Sequence, residues 1–96
     1  MTFEWDHANL AHLARHKITA AEAEQVIQND PLDLEEQDVD GEQRFTQVGE
    51  TRAGRILLVV VTLRGSSIRV VTAWDAPSAI KRHYLQQKGS EHGNFS

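Results

Sequence analysis

Arg55-Ile56-Leu57-Leu58-Val59-Val60-Val61-Thr62-Leu63, then Arg64-Gly65-Ser66, then Ser67-Ile68-Arg69-Val70-Val71-Thr72-Ala73-Trp74, is the stretch that decides the fold. The first run is apolar at consecutive positions, so both of its faces need cover, as in the central strand of a sheet. Ile56 to Val61 has strand length and falls far short of the ~20 residues of a bilayer-spanning helix. Arg64-Gly65-Ser66 turns the chain back, and so short a connection makes the two strands antiparallel. Strict alternation along the second run places Arg69 with Val71 and Ala73, opposite Ile68, Val70, Thr72 and Trp74.

Upstream, Thr51-Arg52-Ala53-Gly54 reads as a turn and Arg44 to Gly49 as a further strand. Asp38 to Glu42 reads as an acidic turn around Gly41, preceded by a short strand over Pro31 to Leu34. Two helices are expected before that. Asp6 is a natural N-cap, and Leu10, Leu13 and Ala14 recur at helical spacing to about His16, where Lys17 and Ile18 end the helix. Thr19-Ala20-Ala21-Glu22 has the hydroxyl and carboxylate spacing of a capping box, with Ala23, Val26 and Ile27 on one face behind it. Asp30-Pro31 stops this helix, because proline disfavours helical backbone in the residue before it. Phe3-Glu4-Trp5 alternates as a short edge strand does. Downstream, Asp75-Ala76-Pro77 is expected to start a third helix with Ala76, Ile80 and Tyr84 on one face. The pattern predicts an α+β fold: two N-terminal helices, an antiparallel β-sheet meander and a C-terminal helix. Residues 1–88 form a single domain, and residues 89–96 are expected to be a flexible tail.

The 96 residues suit one domain with a small core. A hydrophobic content of 40% and a charged content of 25% argue against disorder and coiled coil. The chain has no cysteine, which removes disulfide scaffolds, thiolate zinc sites and cysteine nucleophiles. Met-Thr-Phe-Glu-Trp-Asp at the start has neither a basic nor an apolar leader region, so a cytoplasmic location is expected, with no membrane association. His12 and His16 lie four apart on the first helix, but they lack further ligands and the glutamate of a zinc-protease helix, so no metal and no cofactor is expected. Neither a phosphate-cradling glycine loop nor a nucleophile elbow is present, which leaves hydride, phosphoryl and serine acyl chemistry without support.

The net charge is −4 and unevenly spread. Asp30, Asp33, Glu35, Glu36, Asp38, Asp40 and Glu42 form an acidic block. Arg44, Arg52, Arg55, Arg64, Arg69, Lys81 and Arg82 follow it, opposed only by Glu50 and Asp75. Guanidinium forks on a sheet suit a phosphate backbone; the competing reading is salt bridging, which composition alone favours.

Several segments resemble the BrnT family of type II toxin–antitoxin systems. They are Phe3-Glu4-Trp5-Asp6, Asn9-Leu10, Arg15-His16-Lys17-Ile18-Thr19, Glu22-Ala23, Asp30-Pro31-Leu32, Glu42-Gln43-Arg44-Phe45, Val48-Gly49, Gly54 to Val60 and Ile68 to Ala73. In order and spacing they cover Phe3 to about Tyr84. The resemblance implies a small ribonuclease with a RelE-like fold that cleaves RNA without a metal and inhibits translation. It also implies a BrnA-like ribbon-helix-helix antitoxin, a heterotetramer with it, and operator DNA bound through the antitoxin. Family members commonly carry an arginine-rich segment after the last strand. Here Trp74 stands where an arginine is common, while Lys81, Arg82 and Tyr84 remain.

Metal-independent cleavage needs a base for the 2′-OH, cations for the phosphate and an acid for the leaving 5′ oxygen. His16 and Glu22 are the candidate bases, and His83 or Tyr84 the acid. Arg52, Arg55, Arg69 and Arg82 are candidate phosphate clamps, with Lys17, Arg64 and Lys81 as further RNA-binding charges. Arg55 and Arg69 are expected on one anion-binding surface. Arg44, Arg52, Arg55, Arg64 and Arg69 together are expected to meet an acidic antitoxin segment, with the acidic block turned away. A different reading keeps the fold without catalysis, as a module that binds the antitoxin and acts as a transcriptional co-repressor.

Overall fold

The structure is a computed structural model that describes residues 2–92, with side chains through residue 89. The elements run β1 (Thr2–Glu4), α1 (His7–Arg15), α2 (Ala20–Gln28), β2 (Leu32–Val39), β3 (Glu42–Glu50), β4 (Ile56–Arg64), β5 (Ser67–Asp75) and α3 (Ser78–His92). They form one five-stranded sheet in the order β1-β5-β4-β3-β2. β2 to β5 are the expected antiparallel meander, and β1 returns to pair in parallel with β5, Phe3 against Ile68.

β4 is the central strand, as its unbroken apolar run requires. Leu57, Val59 and Val61 face a core built with Leu13 of α1 and Ala23, Val26 and Ile27 of α2. Ile56 and Leu58 face the other way, into a smaller core with Val48, Ala76 and Tyr84. The alternation of β4 thus divides the apolar surface between two helical layers. Both N-terminal helices start as the sequence implies. The Asp6 carboxylate accepts the Asn9 amide, and Thr19 and Glu22 form a reciprocal capping box.

Four expectations are corrected. The acidic turn around Gly41 is narrower than Asp38 to Glu42. β2 and β3 extend to Val39 and Glu42 across Asp40-Gly41, whose φ angles of 52° and 81° make the tight hairpin turn that suits twisted strands. The carboxylates of β2 are solvent-exposed at the sheet edge, so their charge does not oppose strand formation. Asp75 ends β5 rather than opening a helix, because the Ala76 amide donates to the Ile56 carbonyl; α3 begins at Ser78. Gly89 does not start a tail, since α3 continues to His92, and a helix tolerates a single glycine at modest cost; residues 93–96 lie outside the described residues. Finally, the register between β4 and β5 shifts between Val60 and Val61, which leaves Val71 unpaired opposite them. This bulge interrupts strict alternation. Val70 and Ala73 therefore share the α1–α2 core, and Arg69 pairs with Thr62 instead of sharing a face with Ala73.

Two substitutions test this packing. Val59 is fully buried. Val59→Asp places an unpaired charge in the larger core and removes several of the roughly 5–15 kcal/mol that hold a small domain together, so the circular-dichroism melt disappears or shifts far down. At Gly49 β3 lies close against α2: an added Cβ would stand 3.0 Å from Val26 Cγ1, 3.2 Å from the Val26 carbonyl oxygen and 3.3 Å from Pro31 Cβ. Gly49→Ala is expected to cost roughly 1–3 kcal/mol in a denaturant titration.

Candidate functional site

The charged residues separate into three groups. The first lies where the α1–α2 junction, the start of β4 and the end of β5 meet. Arg55 stands at its centre. Its Nε donates to Asp75 Oδ1 at 3.0 Å and its Nη2 to Asp75 Oδ2 at 3.2 Å. Nη1 donates to the Lys17 carbonyl at 2.7 Å and to Glu22 Oε2 at 3.2 Å, and Nη2 reaches the His16 carbonyl at 3.4 Å. Lys17 makes the sharp turn between the helices with φ 57°, a left-handed conformation rare for a residue bearing a Cβ. The His16 ring meets the His12 ring edge-on at 5.7 Å, and His12 Nε2 lies 2.8 Å from Thr72 Oγ1.

The amide of Thr19, with help from Arg55, holds the Glu22 carboxyl below its ordinary value. The Arg55 fork does the same for Asp75, and the charges of Lys81 and His16 add to it. The His16 carbonyl lies against the Arg55 guanidinium. Lys81, Arg82, Ser78, Leu85 and Gln86 line an open groove of about 440 Å³ along α3. Among the described residues, His16, Lys17, Lys81 and Arg82 have no side-chain ion pair.

The second group lies at the other end of β4. Arg69 bridges Asp6 at 3.0 Å and Glu4 at 3.5 Å. Arg64 lies 3.5 Å from Glu42 and 3.9 Å from Glu4, and Arg44 pairs with Glu42 at 3.0 Å. Because Arg69 is registered with Thr62 and Arg55 precedes Ile56, about seven residues of strand separate them, or roughly 23 Å. Arg55 and Arg69 therefore do not share one surface. Of the five arginines expected to meet an acidic partner, Arg44, Arg55, Arg64 and Arg69 are each held by carboxylates of this chain. Salt bridging prevails, although only Glu42 of these partners belongs to the acidic block.

The third group is at the far side of α3. Tyr84 is buried, and its hydroxyl donates to Glu50 Oε1 at 3.2 Å. Burial, reinforced by the Glu50 charge, raises its pKa. Arg52 lies apart again, in the turn before β4, with its backbone amide donating to Gln25. The structure brings Glu22, Asp75 and the His16–Lys17 turn to Arg55, sets Lys81 within reach of Asp75 with Arg82 beside it on α3, and leaves out Arg52, Arg64, Arg69 and Tyr84. Asp75 is the residue that sequence reasoning missed. Its signal was its position, directly across from Leu57 and hence beside Arg55, hidden by its reading as a helix start. No group of three or more His, Asp or Glu is placed to hold a metal among the described residues.

A family model described as "Ribonuclease toxin, BrnT, of type II toxin-antitoxin system" matches residues 5–79 of the 96. The chain belongs to this family. The BrnT match runs from Trp5 through the whole meander and stops just inside α3, so Asp75 lies within it, and Lys81, Arg82 and Tyr84 lie beyond it. Membership makes this a type II toxin, with an antitoxin as partner and RNA as target. No curated protein matches the chain. No helix among the described residues is long and apolar enough to cross a membrane.

A carboxyl whose folded value is depressed adds stability above its unfolded value and loses that stability as pH falls through the folded one. For Glu22 the loss begins below its ordinary 4.5. The melting temperature of the parent should therefore fall as pH drops below about 4.5, and Glu22→Gln, which keeps the side-chain shape without titrating, should flatten that fall.

Proposed function

We propose that this BrnT toxin is a cytoplasmic, metal-independent endoribonuclease of the RelE-like type that inhibits translation, and that its reaction takes place at the α1–α2 junction beside α3. One observation carries this reading: the Arg55–Asp75 pair holds the His16–Lys17 turn within reach of the Lys81 charge on α3, and Lys17, Lys81 and the neighbouring Arg82 are among the cations without ion pairs. The Glu22 carboxyl is a weak base because its pKa is lowered, so His16 takes the proton from the 2′-OH. The 2′ oxygen then bonds to phosphorus while the bond to the 5′ oxygen breaks. Lys17, Lys81 and Arg82 stabilise the charge on the phosphate. Of the two candidate acids, Tyr84 is buried against Glu50, so the exposed His83 supplies the proton to the leaving oxygen. The products are a 2′,3′-cyclic phosphate and a 5′-hydroxyl.

The partner we propose is a BrnA-like ribbon-helix-helix antitoxin that forms a heterotetramer with the toxin and carries it to operator DNA. The ion-paired state of Arg44, Arg55, Arg64 and Arg69 favours a second reading, in which the module retains antitoxin binding and co-repression without catalysis. Single-stranded RNA incubated with the purified protein and excess chelator separates the two. The expected result is cleavage that persists with chelator, yields cyclic phosphate ends, and falls roughly 100-fold or more in His16→Ala and in the Lys81→Gln, Arg82→Gln double variant. Loss of cleavage with chelator overturns metal independence, and absence of cleavage together with normal growth on expression supports the non-catalytic module.

A further inference from the structure

We infer that Arg55 is a positioning residue, which sets the His16–Lys17 turn against the start of α3 and does not itself grip the RNA phosphate. The inference rests on the proposed reaction at this junction and assigns a role to its central side chain.

A guanidinium carries five N–H donors in a fixed plane. In Arg55 the Nε donor and one Nη2 donor form a fork on the two oxygens of Asp75. The Nη1 pair goes to the Lys17 carbonyl and Glu22, and the remaining Nη2 donor points to the His16 carbonyl. No donor is left over, and the cation is already balanced by two carboxylates. An incoming phosphate would have to displace Asp75 or Glu22, at a cost in hydrogen bonds and in charge that Lys81 and Arg82 do not face.

The acceptors show what the bonds accomplish. The His16 and Lys17 carbonyls follow the last turn of α1, where carbonyls have no partner within the helix. Arg55 satisfies both and places a positive charge at the negative end of the helix dipole. Between them Lys17 holds φ 57°, a conformation its Cβ disfavours and its neighbours must enforce. The other end of the fork, Asp75, is fixed by the Ala76 amide on the Ile56 carbonyl, three residues before α3 begins. Arg55 therefore ties the turn bearing His16 and Lys17 to the strand end that leads into Lys81 and Arg82.

The test measures single-stranded RNA binding over a range of salt, and cleavage turnover, in Arg55→Gln, Arg55→Lys, Asp75→Asn and, as the reference for a direct contact, Lys81→Gln. A lost phosphate contact lowers the slope of log affinity against log salt by about 0.7 for a single strand. Lys81→Gln should show that loss. Arg55→Gln should keep the parental slope and KM while kcat falls roughly 10- to 100-fold, the effect of misplaced groups. Arg55→Lys should resemble Arg55→Gln, since an ammonium keeps the charge but not the planar fork. Asp75→Asn should also lower kcat. A reduced slope in Arg55→Gln, or faster cleavage in Asp75→Asn through a freed guanidinium, overturns the inference.

Amide hydrogen exchange covers variants that fold poorly or do not cleave. In Arg55→Gln the amides of Lys17 and Ile18 should lose protection while those of Val59 and Val61 keep theirs; equal protection at the turn in parent and variant overturns the positioning role. If the parent cleaves no RNA, the proposed reaction fails, and the exchange result still decides what Arg55 holds.

Discussion

A strand that is apolar on both faces cannot remain at the surface, and that constraint on β4 organises the rest of the chain. Leu57, Val59 and Val61 demand a helical layer, which α1 and α2 provide; Ile56 and Leu58 demand another, which α3 provides through Tyr84. The second layer is the smaller one, and its helix begins directly after β5. Three chain segments consequently converge where β4 starts: the turn between the first two helices, the end of β5 and the first turns of α3. The candidate site is a by-product of covering one strand twice.

The parts of the fold set by local chemistry were readable in the sequence. Asp6 and the Thr19–Glu22 box start their helices, Gly65 turns the last hairpin, and the run from Ile56 to Val61 marks the centre of the sheet. The errors arose where distant parts of the chain decide the outcome. Acidic residues in β2 look like loop until β3 is available to pair with them. The bulge at Val71 reverses which way Arg69 points, and nothing in a single strand's alternation announces it. The site follows the same division. Residue types were legible, so His16, Lys17, Lys81 and Arg82 were all named. The link between the His16–Lys17 turn and the end of β5 was not, because it runs through the Arg55–Asp75 fork, a contact across twenty residues of chain.

The arginines show why composition misleads about function. The C-terminal half carries most of the positive charge, yet Arg64 and Arg69 meet Glu42, Glu4 and Asp6 from the N-terminal half, and Arg44 pairs with its near neighbour Glu42. These pairs are partly exposed, so each contributes little to stability. Their larger effect is to remove fixed charge from one end of the molecule. What remains for a polyanion is the short set of cations at the other end.

The acidic edge strand has a consequence of its own. β2 is the free margin of the sheet, with a row of backbone groups open to pairing, and a bare strand of eight residues is a template for self-association. Two copies meeting there would bring Asp33, Glu35, Glu36 and Asp38 against the same four carboxylates. At the opposite margin β1 is only three residues long, and Asn9 of α1 donates to the Val70 carbonyl of β5 beyond it. Both borders of the sheet are thus guarded, one by repulsion and one by a side chain, and aggregation through strand addition is penalised on each side.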